Sequence, residues 1–337
     1  MSDLQAHHYV PRFYLKGFAD PSNSSPKKRR IWVYQKGKGP RLSTPEHEAH
    51  QKDYYGFEDA SGSKRSAEEL FSHVESTVAP VFRRVDAPTF YFSDDEKSAM
   101  AFFVAGMFCR GPSNRDFIDA MSGRVAKAMM QEEALDSTRF MKEYERFRTK
   151  REGAISAAEL RTAILDGQYD VEQKSRGFNL QIMVEMMLIL EGILLYRNWV
   201  LLHASGDMNF VTSDNPVFTL IPEEGGKAAI GSGFGVPGVE VYFPLTAQTC
   251  LMITEDPPPG SAVISDRMVD QINGITIFCA KRFLYAPHKS TELAERFERD
   301  GCQISYGVNA LMMRDSDLQA RIRSNAMNRS QGPSKGG

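Results

Sequence analysis

The feature that most constrains this chain is a change of period near Asn198. Upstream, apolar residues such as Leu70, Phe71, Val74, Val78 and Val81 recur at helical spacing, which puts them on one face of a helix. Downstream, Trp199–His203, Asn209–Thr212, Val217–Leu220, Glu240–Phe243 and Thr249–Ile253 are short β-branched and aromatic runs separated by turn formers. Runs of that kind pair with near neighbours, so the pattern predicts a mainly antiparallel sheet. The expected fold is α+β: a helical middle segment, about 60–197, packed with a sheet-rich C-terminal segment, about 198–290.

Ser66 with Glu69, and Ser93 with Glu96, read as capping boxes that start two helices. The second helix, running to Arg110, is apolar nearly all round and so is expected at the centre of the core, with Arg110 at its end just before Gly111-Pro112. Phe178–Tyr196 predicts another buried helix. Its apolar part, Ile182–Tyr196, carries Glu185 and Glu191 and falls short of the roughly 20 residues a membrane span needs. A buried Glu185 would require a partner such as Arg110 or Arg197. Two or three surface helices are expected between Asn114 and Asp170, then a helix at Asp266–Ala280, a strand at Arg282–Ala286 and a helix at Thr291–Arg299. The chain reads as one large domain over 1–320 with a frayed tail at 321–337, where Ser, Asn, Arg, Gly and Pro dominate. Hydrophobic residues at 42% and aromatic residues at 10% of 337 positions suffice for a substantial core.

A formal charge of -2 excludes a globally basic, polyanion-binding chain. The four cysteines, Cys109, Cys250, Cys279 and Cys302, are far apart and form no CxxC pair, so they read as reduced core thiols. The polar start, Met1 to Gln5, lacks a signal core, and the expected location is cytoplasmic.

Two stretches carry candidate chemistry. His7-His8 precedes the aromatic segment Tyr9-Val10-Pro11-Arg12-Phe13-Tyr14, and adjacent imidazoles can bind a metal or move a proton near neutral pH. The bland alternative has both rings hydrogen-bonding the backbone while Phe13, Tyr14, Leu15 and Phe18 pack. Thr212-Ser213-Asp214-Asn215-Pro216 reads as a tight corner between strands, or as oxygen ligands for a hard cation. The basic run Lys27-Lys28-Arg29-Arg30 is a solvated loop or a phosphate contact. Gly231–Gly235 lacks the ending of a phosphate loop and reads as a mobile connection, and His47 with His50 reads as surface, or as sharing a helix face.

Taken together, HHYVPRFYLKGF from His7, CRGP at Cys109–Pro112, the Trp199 strand, FVTSDNPV at Phe210–Val217 and YFPL at Tyr242–Leu245 resemble the bacterial domain of unknown function 4238 family. The resemblance covers position 7 to about 290. It implies that His7, His8, Glu75, Arg110, Ser213, Asp214 and Asn215 fall on the family's motifs, gathered in one cleft. Over His7, His8, Val10 and Pro11 the chain is also similar to the start of His-Asn-His metal nucleases, whose glycine-bearing loop and third ligand do not follow Pro11.

If those residues gather, His7, His8 and Asp214 would hold a divalent metal, one histidine would activate water, and Arg110 would neutralise phosphate charge. Glu75, Ser213 and Asn215 would support them. The expectation is a metal-dependent hydrolase, nuclease or phosphodiesterase-like, acting on nucleic acid or a nucleotide without a membrane, with defence or a toxin system as its setting. The alternative is a non-catalytic binding or interaction protein in which the His-His and SDNP motifs brace helices against sheet. Convergence of the His7 and His8 rings with Asp214, to within roughly 4 to 5 Å around one ion, separates the two.

Overall fold

A computed structural model of the chain describes residues 6–22, 29–52, 56–58, 64–66, 68–147, 155–167, 169, 177–222, 228–256 and 259–303. The expected tail at 321–337, Lys27, Lys28 and the His7 side chain lie outside the described residues. By its internal contacts the chain divides into two compact units, 1–116 with 175–306, and 117–174 with 307–337.

The first unit begins with β1 (Ala6–His8), the single turn α1 (Arg12–Leu15) and a 3-10 turn at Lys16–Phe18, then β2 (Ile31–Gln35), β3 (Lys38–Ser43), β4 (His50–Lys52), β5 (Gly56–Glu58) and β6 (Lys64–Ser66). Ser66, the N-cap that the capping-box pattern predicts for helix α2 (Glu68–Phe82), is instead taken into the β5–β6 pairing opposite Gly56. Helix α3 (Asp94–Cys109) does begin on the Ser93–Glu96 box: the Ser93 hydroxyl accepts from Glu96 N–H and the Glu96 carboxylate accepts from Ser93 N–H.

Helix α4 (Pro112–Leu135) leaves the first unit and enters the second, which adds α5 (Ser137–Phe147) and α6 (Ala157–Leu165). A small core of Ala134, Phe140 and Ile164, backed by Tyr144 and Leu160, holds that unit together. The α4 C-terminus is tied down by Arg161, whose Nε donates to the Ala134 carbonyl at 2.8 Å.

The chain returns to the first unit with α7 (Gly177–Leu195), which packs along α3. A Cβ on Gly106 of α3 would come within 3.1 Å of Met187 Cε, so the missing side chain lets the two helices approach. Burial of α7 is one-sided: Met183, Met187, Leu190 and Leu194 are buried, while Leu188 and Ile189 are exposed. The expected buried Glu185 is thereby corrected. It stands on the exposed face and accepts from Gln181 Nε2 at 2.9 Å, needing no arginine.

Strands β7 (Asn198–Ala204), β8 (Thr212–Ser213), β9 (Phe218–Pro222), β10 (Ala228–Ile230), β11 (Glu240–Pro244), β12 (Thr249–Thr254) and β13 (Gly260–Ile264) follow, then α8 (Asp266–Cys279), β14 (Phe283–Ala286) and α9 (Thr291–Asp300). The fold is α+β, and its larger sheet runs β10-β9-β11-β12-β7-β13, antiparallel except for β13, which lies parallel to β7 at one edge. A second, antiparallel sheet of order β3-β2-β14-β8 joins strands from both ends of the chain. Tyr34, Val211, Ile277, Leu284 and Phe297 fill the core between that sheet and α8 and α9. His47, in a 3-10 turn, and His50, in β4, are both exposed, as the surface reading expects, and share no helix face. One weaker expectation is corrected. The Gly231–Gly235 connection is held, with Gly231 N–H donating to the Thr219 carbonyl and the Thr219 hydroxyl to the Ser232 carbonyl.

Candidate functional site

The SDNP corner leaves β8 and turns under the junction between α8 and β14. Asp214 is fully buried, its N–H donates to the Phe283 carbonyl, and its two oxygens accept the backbone N–H groups of Lys281 at 2.8 Å and Arg282 at 2.9 Å. A carboxylate is well suited to that turn because two amide donors need two acceptors in a fixed fork. Burial nevertheless outweighs those donors and pushes the Asp214 carboxyl up to about 6.

Asn215 ties three segments together. Its Nδ2 donates to Ser113 Oγ at 2.6 Å and to the Cys279 carbonyl at 3.1 Å, and its Oδ1 receives a longer contact from Ser113 N–H at 3.4 Å. It therefore satisfies a carbonyl at the C-terminus of α8 and an N–H at the N-terminus of α4, groups that helix geometry leaves without intrahelical partners. Ser213 Oγ accepts from Asn215 N–H at 3.1 Å and fixes the corner from inside. Gly111 is required at the crossing: a Cβ there would lie 2.6 Å from Asn215 Oδ1.

Arg110, one residue earlier, is buried at the end of α3, with its guanidinium lying over the rings of Phe71 and Phe103. Its NH1 donates to Glu75 Oε1 at 2.8 Å, so the two pair with each other.

At the N-terminus, β1 pairs with β4, which sets His8 opposite His50 with ring centroids 5.5 Å apart. His8 Nδ1 lies 3.0 Å from the Glu48 carbonyl, which can only accept, so the proton is on Nδ1. Burial lowers the His8 pKa, and the Glu48 carbonyl offsets part of this. The Glu48 carboxylate itself takes a bidentate pair from Arg41, at 2.6 and 2.7 Å, and the Ser43 hydroxyl at 2.5 Å. Tyr285, buried on β14, feels both neighbourhoods: burial first, then Tyr9, Asp214 and Glu48, hold its phenol well above the ordinary range. Its hydroxyl has no hydrogen-bond partner among the described residues.

The strongest convergence of motifs involves Tyr14, which the sequence assigned only to packing. Its hydroxyl donates to the Pro244 carbonyl at 2.7 Å, and its one proton being used there, it accepts the Thr212 hydroxyl at 2.6 Å. Its ring stacks on Phe243 at 5.2 Å between centroids. Segments from the HHYVPRFYL, TSDNP and YFPL motifs thus meet at one phenol.

The family described as protein of unknown function DUF4238 matches residues 6–290. The chain belongs to this family. No curated protein and no solved structure matches it. Every residue of the SDNP corner, the Arg110–Glu75 pair and the Tyr14 junction lies inside the family span. Among the described residues no group of three His, Cys, Asp or Glu side chains is placed to hold a metal ion, and none of the helices is long and apolar enough to cross a membrane. The Asp214 carboxylate is fully buried with each oxygen on a backbone donor, and the His7 side chain lies outside the described residues. Arg41, Glu48, Ser113 and Tyr285 were not singled out by sequence, since each takes its role from a partner distant in the fold or from a backbone group.

Proposed function

We propose that this family member is a cytoplasmic, non-catalytic binding or interaction protein whose motif residues brace its α+β frame. The observation that carries the reading is the Asp214 carboxylate, fully buried with one oxygen on Lys281 N–H and the other on Arg282 N–H. A carboxylate used this way has no oxygen turned toward a substrate. Ser213, Asn215, Glu75 and Arg110 are likewise joined to one another or to backbone groups.

The test is Asp214→Asn. The amide nitrogen would face one of the two backbone donors, so the variant should lose about 1–3 kcal/mol of stability in urea denaturation. A well-folded variant that keeps wild-type stability but loses phosphodiesterase activity present in the wild-type protein would overturn the bracing role.

A second reading, hydrolysis of phosphodiester bonds in nucleic acid or a nucleotide, draws support from one geometry. His8 directs its Nδ1 proton to the Glu48 carbonyl, the orientation in which an imidazole offers Nε2 as a base. Its check is nuclease and cyclic-nucleotide assays on the wild-type chain and on His8→Gln; activity that His8→Gln leaves untouched removes it.

A further inference from the structure

The larger sheet ends on β13, which among the described residues pairs with β7 alone. The hydrogen bonds at that end fix which of its backbone groups face outward. Ser205 N–H donates to the Ile264 carbonyl, so Ile264 turns its peptide groups toward β7. A strand residue points its N–H and C=O to one side, and the side alternates along the strand. Gly260 and Ala262 therefore also face β7, while Ser261 and Val263 present their N–H and C=O groups at the open edge. The far side of β7 is in phase with this, since Ala204 N–H donates to the Gln248 carbonyl beyond β12.

An open row of backbone donors and acceptors is a template for another strand, and proteins commonly block it with charge or proline. The outer strand of the second sheet, β3, does so with Lys38, Pro40 and Arg41. Strand β13 reads Gly-Ser-Ala-Val-Ile, with neither charge nor proline. Gly260, Ser261, Ala262 and Val263 are all exposed, the valine to 71%.

This edge fits its own copy. Antiparallel pairing about a two-fold axis through Ala262 sets Ser261 against the partner's Val263, and both residues of that pair face outward. Each gives its N–H to the other's C=O, and the axis repeats the exchange on its other side. Ala262 meets the partner's Ala262 at the position without hydrogen bonds, where opposed side chains come closest and a methyl group fits. Gly260 falls opposite the partner's Ile264, and a Cβ on Gly260 would meet nothing within 4 Å, so the space beside it is open. A two-fold axis brings like charges near each other, and β13 carries no charge to repel its copy. A foreign peptide would find no charge and no exposed side chain larger than Val263 to read its sequence.

We propose that β13 is a self-pairing edge, through which two copies of the chain join antiparallel about Ala262 and run their larger sheets into one. The interface is isologous, the same strand serving on both sides. One short strand pair covers less area than a standard interface, so the dimer forms at micromolar protein and dissociates on dilution. The pairing uses none of Asp214, Glu75 and Arg110, so it stands or falls apart from their bracing role.

The experiment is sedimentation equilibrium on the full chain from about 1 to about 100 μM, with circular dichroism to confirm folding. The expected mass rises from that of one chain to that of two. Ala262→Lys and Ala262→Glu, each placing a charge against its own copy, should stay monomeric, and an equimolar mixture of the two should dimerise again. If either variant fails to fold, Ala262→Cys decides: opposed Cα atoms at that position lie about 4.5 Å apart, within disulfide range, so mild oxidation should cross-link two chains beyond what the unaltered chain shows. A wild-type chain that stays monomeric throughout, a dimer that persists in folded Ala262→Lys, a mixture that does not reassociate, or an Ala262→Cys chain that does not cross-link overturns the proposal.

Discussion

The hydroxyls of Tyr14 and Thr212 meet at 2.6 Å across 198 positions of sequence, with the Tyr14 proton given to the Pro244 carbonyl. Both oxygens are buried, so removing the phenol oxygen leaves a donor and an acceptor without partners. Tyr14→Phe should cost about 1–3 kcal/mol in urea denaturation while leaving the stack on Phe243 in place. Thr212→Val should cost a similar amount, and the double variant less than the sum, because the two act through one contact.

Gly111 is where the backbone passes Asn215. Placing a Cβ 2.6 Å from Asn215 Oδ1 would push the amide off Ser113 and the Cys279 carbonyl, both in buried residues. Gly111→Ala should destabilise by about 2 kcal/mol or more, measured by denaturant midpoint, despite alanine being the better helix former.

Asp214 gives stability a pH dependence of a particular sign. Its carboxyl is raised from an ordinary 3.8 to about 6, so the folded state binds the proton more readily than the unfolded one. The favourable contribution is complete below 3.8 and is lost as pH rises through about 6. Denaturation free energies of wild type and Asp214→Asn should therefore differ in slope between those two values. Parallel profiles would contradict the raised carboxyl.

His8 runs the other way. Its folded pKa is lowered by burial, so its contribution is present above the unfolded value of 6.5 and disappears as pH falls below it. His8→Gln keeps a donor for the Glu48 carbonyl and should flatten the loss of stability on the acid side of 6.5.

Glu75 and Arg110 are unequal partners, since the arginine is buried and the glutamate is part-exposed. Glu75→Ala removes the carboxylate that meets the buried guanidinium at 2.8 Å and should cost about 2–4 kcal/mol. Arg110→Met leaves a carboxylate that water can reach and should cost less, a ranking read from paired urea melts.

Much of this architecture was legible from residue order. The Ser93–Glu96 box placed the start of α3, the alternation after Trp199 placed most strands, and the turn chemistry of Asp214-Asn215-Pro216 placed the corner. These signals are local, carried by backbone preferences within a few residues. The one-sided burial of α7 was not legible, because an apolar stretch does not say which of its faces a neighbour covers. Nor was the division at 117–174, since helical spacing is the same in either unit.

By itself, then, the sequence determined the class of the fold, the elements and the polar corner, through periodicity and turn chemistry. Only the tertiary structure decided that β14 would pair with β2 on one side and β8 on the other, that Asp214 would hold the amides of Lys281 and Arg282, and that Asp86 would reach His203 through Thr249. The physical reason is that a side-chain oxygen takes its role from the donor it meets. In a buried site that donor comes from a distant part of the chain, and no local pattern records it.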